Sequence, residues 1–139
     1  MREFVVDANV LMNCLISGRE TYQQLFKKYT FYAPDFIFAE MQEHQAELLK
    51  KTHLSPALLK EYTLKLFGRI VFIPNFLVSN QSYLQAFHWC KDIDADDTPY
   101  LALAIEFDIV FVSKDDTLVR GLRAKGFDKI ISFSEFLSL

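Results

Sequence analysis

The chain is poor in the residues that announce several common protein classes. Its 139 residues include only 2 cysteines, 4 glycines, 4 prolines and 3 histidines. Cys14 and Cys90 are too few and too far apart for a cysteine-rich zinc site or a disulfide framework; beside Leu15 and Trp89 they read as buried thiols in a reducing compartment. No stretch approaches the roughly 18 to 20 consecutive apolar residues that span a bilayer. Asp7, Asn9 and Asn13 interrupt the apolar run behind Arg2, which excludes a signal-peptide core. These absences lead us to expect a cytoplasmic protein with no membrane partner. Repeats, low-complexity segments and linkers are missing too. So is a strong charge of one sign: the formal net charge is −3, so any electrostatic case for nucleic acid must be local.

What the chain does have is material for a core. Hydrophobic residues make up 51% and aromatic residues 15%, with 14 Phe, a composition that excludes disorder. The length suits one domain over residues 1–139, and a chain of this size buries roughly 68 to 70% of its unfolded surface.

Short β-branched and aromatic runs alternate with helical patterns. Residues 3 to 6 read as a buried strand, followed by a helix over Asn9 to Ile16 that Gly18 ends. A helix over Arg19 to Tyr29 precedes a strand at Thr30 to Ala33, and Pro34 suits the first turn of a helix running to Lys50 or Lys51. Ser55-Pro56 opens a helix that stops at Gly68, and Ile70 to Ile73 is strand-like. Ser82 to Cys90 reads as a helix, and Pro99 to Glu106 as one so apolar all round that it must be buried. Ile109 to Val112 is a strand, Asp115 to Lys125 a helix, and Ile130 to Phe133 a last strand. The alternation predicts an α/β fold with a central, mainly parallel sheet covered by helices.

In such a sheet, ligands bind outside the carboxyl ends of the strands. Asp7 stands there, directly after Phe4-Val5-Val6, and Asp115 follows Phe111-Val112-Ser113-Lys114 in the same way. Each also suits a helix N-cap. Asn9 either orients Asp7 or caps the helix itself, while Asp116 competes with Asp115. Ser113 is a candidate for a hydrogen bond that orients a carboxylate or a bound water. Glu40 interrupts Phe36-Ile37-Phe38-Ala39 on the face of Phe36, and a carboxylate on a core-facing stripe needs a partner. His44, one turn on, reads as an exposed helical residue. Asp94, Asp96 and Asp97 precede the buried helix; Asp97 is best placed to enter a site at the core edge, and Asp94 and Asp96 are auxiliary candidates that also suit a first helical turn.

Two carboxylates about 4 Å apart repel by roughly 4 kcal/mol at an effective dielectric near 20. Four converging acids would threaten the fold unless a cation offset that repulsion. Oxygen-only ligands suit Mg²⁺ or Mn²⁺ rather than zinc, and such ions activate water and stabilise charge in phosphodiester cleavage.

In these motifs the chain resembles the PIN domain family of metal-dependent ribonucleases, and within it the VapC-like toxins of toxin–antitoxin pairs. The family's first motif is matched by Val5-Val6-Asp7-Ala8-Asn9, its helical Glu by Glu40 in Phe38-Ala39-Glu40, its third motif by Asp97 ahead of Leu101-Ala102-Leu103-Ala104, and its last by Ser113-Lys114-Asp115. Ala8 departs from the hydroxyl residue often found after the first Asp. The resemblance implies a PIN-like three-layer α/β/α fold and a nuclease that cuts RNA. It further implies that Asp7, Glu40, Asp97 and Asp115 hold one or two Mg²⁺ or Mn²⁺ ions, with Asn9 and Ser113 orienting them. Homodimerisation and inhibition by an antitoxin protein are implied as well. Lys114, Arg120, Arg123 and Lys125 would meet RNA phosphates, or form a solvated helix face. One rival is a non-catalytic RNA- or protein-binding module that keeps the fold; another is a phosphotransfer or phosphate-accepting domain, which also places Asp at strand ends.

Overall fold

A computed structural model describes residues 2–139. The chain runs β1 (Glu3–Val6), α1 (Ala8–Ser17), α2 (Glu20–Lys28), β2 (Thr30–Pro34), α3 (Phe36–Glu43), α4 (Gln45–Lys51), α5 (Pro56–Phe67) and β3 (Ile70–Ile73). It continues through α6 (Asn80–Cys90), α7 (Thr98–Phe107), β4 (Val110–Ser113), α8 (Asp116–Ala124), β5 (Ile130–Ser132) and α9 (Phe133–Leu137), with 3-10 turns at Asn75–Leu77 and Ala95–Asp97. The five strands pair in parallel in the order β3-β2-β1-β4-β5, giving a three-layer α/β/α fold.

The strand order explains where a site can form. From β1 the chain steps outward to β2 and β3, then returns to β4 on the other side of β1 and steps outward again to β5. The carboxyl ends of β1 and β4 therefore flank the point where the strand order reverses, where open α/β sheets bind ligands. The register sets Val6 beside Val112, so Asp7 and Ser113 emerge side by side.

The sheet is buried under apolar residues on both faces. Phe4, Phe26, Phe31 and Phe136 form one interlocking aromatic group, with Phe26 stacked on Phe31 at 4.1 Å between ring centres. The α7 helix crosses β1, β2 and β4, and Tyr100, Leu101, Ala102, Leu103 and Ala104 are all buried, as an all-round apolar helix requires. Cys14 and Cys90 are buried free thiols.

Three expectations need correction. The segment from Pro34 to Lys51 is not one helix. Pro34 closes β2, and the helix breaks at His44 into α3 and α4. Tertiary ties account for the break: Thr52 Oγ1 donates to the Leu15 carbonyl at 2.8 Å and the His53 amide to Ile16 at 2.9 Å, drawing the end of α4 onto the end of α1. The last strand stops at Ser132, because Ser132 and Glu135 form a reciprocal capping box that starts α9 at Phe133. Finally, the face shared by Phe36 and Glu40 does not point to the core; Phe36 is 40% exposed, and Ile37 is the buried residue of α3.

Candidate active site

Four segments converge at the carboxyl edge. Asp7 caps α1, accepting from the Val10 amide at 2.9 Å through Oδ1, while its Oδ2 accepts from the Ser113 hydroxyl at 2.8 Å. The Ser113 oxygen in turn accepts the Asp115 amide at 3.1 Å, and Asp115 caps α8 through the Leu118 amide at 3.1 Å. One serine thus ties the β1 junction to the β4 junction. The cap reading and the site reading of Asp7 and Asp115 do not compete, since capping uses one oxygen and leaves further lone pairs.

Glu40 comes from α3, half-buried, and accepts a hydrogen bond from the Tyr100 hydroxyl of α7. Tyr100 is fully buried, stacked on Phe111 and edge-on to Phe36. It was not among the residues read from the sequence. A tyrosine in an otherwise apolar buried helix was the available signal, because a buried phenol needs a polar partner.

The tightest grouping of carboxylates is Asp94, Asp97 and Asp115, which offer oxygens all within 4.8 Å of one another. Asp94, ranked only as auxiliary from the sequence, stands inside this group; its Oδ1 accepts from the Asp96 amide at 3.0 Å, which bends the chain into the 3-10 turn ahead of α7. Asp96 and Asp116 are exposed and outside it. Asp7 and Glu40 lie outside the group but close enough to act on Asp97 electrostatically. Asn9 is exposed on the first turn of α1 and does not bond Asp7, so orientation of that carboxylate falls to Val10 and Ser113.

The electrostatics follow from this crowding. Burial, followed by the charges of Asp7, Asp94, Asp115 and Glu40, pushes the Asp97 carboxyl up from 3.8 to about 8. Burial also raises Asp7 to about 6, against the bonds from Val10 and Ser113 that favour its charged form. Among the described residues no lysine, arginine or histidine forms an ion pair with Asp7, Glu40, Asp94, Asp97 or Asp115. A set of hard oxygen donors, crowded and without a protein cation, fits a hard divalent ion.

Of the basic residues near the last motif, two are engaged elsewhere. Arg123 pairs with Glu135 and also bonds the Ile130 carbonyl; Lys125 pairs with Asp92. Lys114 and Arg120 remain exposed.

A family model described as PIN domain matches residues 5–133. The chain belongs to the PIN domain family. Members of this family are generally metal-dependent nucleases that use divalent ions. Among solved structures, PAE2754 from Pyrobaculum aerophilum is similar, with a TM-score of 0.69 over 99% of this chain and 88% of that one at 14% identity, a likeness that speaks for the fold alone. No curated protein matches the chain. No described helix of this PIN domain is long and apolar enough to cross a membrane.

Proposed function

We propose that this PIN domain, read as one unit over residues 1–139, is a Mg²⁺- or Mn²⁺-dependent endoribonuclease. The observation that carries the reading is the convergence of Asp94, Asp97 and Asp115 within 4.8 Å, without a cationic partner among the described residues and bordered by Asp7 and Glu40. Asp97 and Asp115, joined by Asp94, would hold the ion, with Asp7 and Glu40 completing the acidic wall directly or through water. When bound, such an ion supplies Lewis acidity, activating water and stabilising charge on the phosphodiester. The chain's own residues do the positioning. Ser113 holds Asp7 and the Asp115 backbone in one frame, and Tyr100 holds Glu40. Asp97, whose carboxyl is pushed up to about 8 by burial and its acidic neighbours, would release its proton on becoming a ligand. Lys114 and Arg120 would meet RNA phosphates, so binding should weaken with salt.

In the finer reading the protein is a cytoplasmic VapC-like toxin that pairs with itself and is inhibited by an antitoxin protein. Exposed apolar residues such as Phe76, at 83%, and Leu84, at 70%, support contact with another chain.

The test is cleavage of a mixed pool of structured and single-stranded RNAs by the wild type and by Asp7→Asn, with Mg²⁺, Mn²⁺ or EDTA. We expect cleavage with metal and its loss with EDTA or the substitution. Undiminished cleavage by Asp7→Asn under metal-replete conditions would remove the catalytic reading and leave a binding module.

A further inference from the structure

Beside the acids lies a cleft of about 360 Å³. Three of the four segments that supply the acidic wall, those of Asp7, Glu40 and Asp115, also run on into this cleft. Asn9 is two residues past Asp7, His44 is one turn past Glu40, and Lys114 stands between Ser113 and Asp115. Asn13 follows Asn9 by one turn of α1 and shares its face.

The lining is chemically particular. Asn9 makes no side-chain hydrogen bond among the described residues, and Asn13 uses only its amide nitrogen, donating to the Tyr22 hydroxyl at 3.3 Å, which leaves its carbonyl oxygen open. A carboxamide offers donor and acceptor together, the pattern that matches the edge of a nucleobase. Met12 and Ile16, from the same helix, give the cleft an apolar lining suited to a ring face. On the opposite wall Glu47 neutralises Lys51 at 2.7 Å and faces His44 at 3.4 Å. Lys114, by contrast, has no acidic partner among the described residues, although it stands between two of the acids' own anchors. An ammonium left unpaired there is free for a phosphate.

We propose that this cleft is a nucleotide subsite: it takes the unstacked base next to the scissile phosphate of single-stranded RNA, with Asn9 and Asn13 on the base edge and Lys114 on the adjoining phosphate. The proposal rests on the ribonuclease reading for its substrate. A base can be read this way only outside a helix, where its edge is exposed, and the cleft's volume is that of a small-ligand pocket rather than a duplex groove. Asn9 and Asn13 then select which nucleotide lies beside the cut, while the acids set whether cutting occurs.

The test has two arms with separate readouts. In the first, each of the four ribonucleoside 5′-monophosphates is titrated into the ¹⁵N-labelled protein with Mg²⁺ present, and the side-chain amide signals of Asn9 and Asn13 are followed. The proposal expects both signals to move with at least one nucleotide, and Lys114→Ala to weaken that binding about tenfold. No movement with any nucleotide, or movement confined to residues around the acids, overturns it. In the second arm, cut sites in an RNA pool are sequenced for wild type, Asn9→Ala and Asn13→Ala, with thermal melting confirming that each variant folds. The nucleotide preference on one side of the cut should relax at least fivefold in one of the two variants; an unchanged preference overturns the subsite while the nuclease stands. Failure of the wild type to cut any RNA counts against the ribonuclease reading, and the titration alone then decides the subsite.

Discussion

Tyr100 is the only residue in the buried run of α7 with a polar side-chain atom, and that atom is spent on Glu40. Tyr100→Phe keeps the ring stacked on Phe111 and removes only the hydroxyl. We expect a stability loss of about 1 kcal/mol, the usual net value of a buried hydrogen bond, and RNA cleavage reduced about tenfold. Thermal melting and kcat/KM on one RNA check both; full activity would show that Glu40 needs no positioning. Ser113→Ala removes two links at once, to the Asp7 carboxylate and from the Asp115 amide. It should cost about 2 kcal/mol, read by denaturant unfolding. Much of this scale was legible. The places of Asp7, Ser113 and Asp115 follow from acids and a hydroxyl at the ends of β1 and β4, and that of Asp97 from an acid just ahead of the buried α7. Asp94's membership of the tight group was not, because it depends on the 3-10 turn folding back, which an acidic run does not encode.

Element boundaries show where local signals suffice. Gly18 was readable as the end of α1, and it adopts φ +64, a left-handed conformation that glycine takes without penalty. A Cβ there would also lie 2.6 Å from Leu54 side-chain carbons. Gly18→Ala should therefore destabilise the chain by about 2 kcal/mol, with strain and crowding adding, and lower the melting temperature by several degrees. An unchanged melting temperature would mean that the α1 turn and the Leu54 segment adapt freely. The capping box at Ser132 and Glu135 was equally local, yet a strand reading of Phe133 masked it. The break at His44 was not local at all: it reflects the tie of Thr52 and His53 to α1, four elements before α4. Alternation of strands and helices sufficed for the class of fold, while the order of strands, with β1 central, emerges only from pairing.

For the molecule as a whole, the acidic wall links stability to pH and metal. Asp97 is raised from 3.8 to about 8 and Asp7 to about 6. A carboxyl with a raised folded pKa binds more protons in the folded state, so stability falls as pH rises from near 4 toward the folded value. The Asp7 share is complete by about pH 6, and the Asp97 share continues to about pH 8. Without metal, Asp97→Asn should accordingly stabilise the chain at about pH 8, by on the order of 1 to 2 kcal/mol, and have little effect near pH 4. Mg²⁺ or Mn²⁺ should raise the melting temperature of the wild type more at pH 8 than at pH 5, and Asp97→Asn should abolish most of that rise. Melting curves with EDTA and with each metal across this range decide the matter; a metal-free stability difference independent of pH would contradict the electrostatic account.

The most direct measurement follows Mn²⁺ binding by electron paramagnetic resonance and RNA cleavage on the same preparations of wild type and Asp97→Asn. The account predicts that the wild type binds Mn²⁺ and cleaves in proportion to occupancy, and that the variant, folded by melting, loses at least tenfold in affinity and nearly all cleavage. A folded Asp97→Asn protein that binds Mn²⁺ and cuts RNA like the wild type would contradict it.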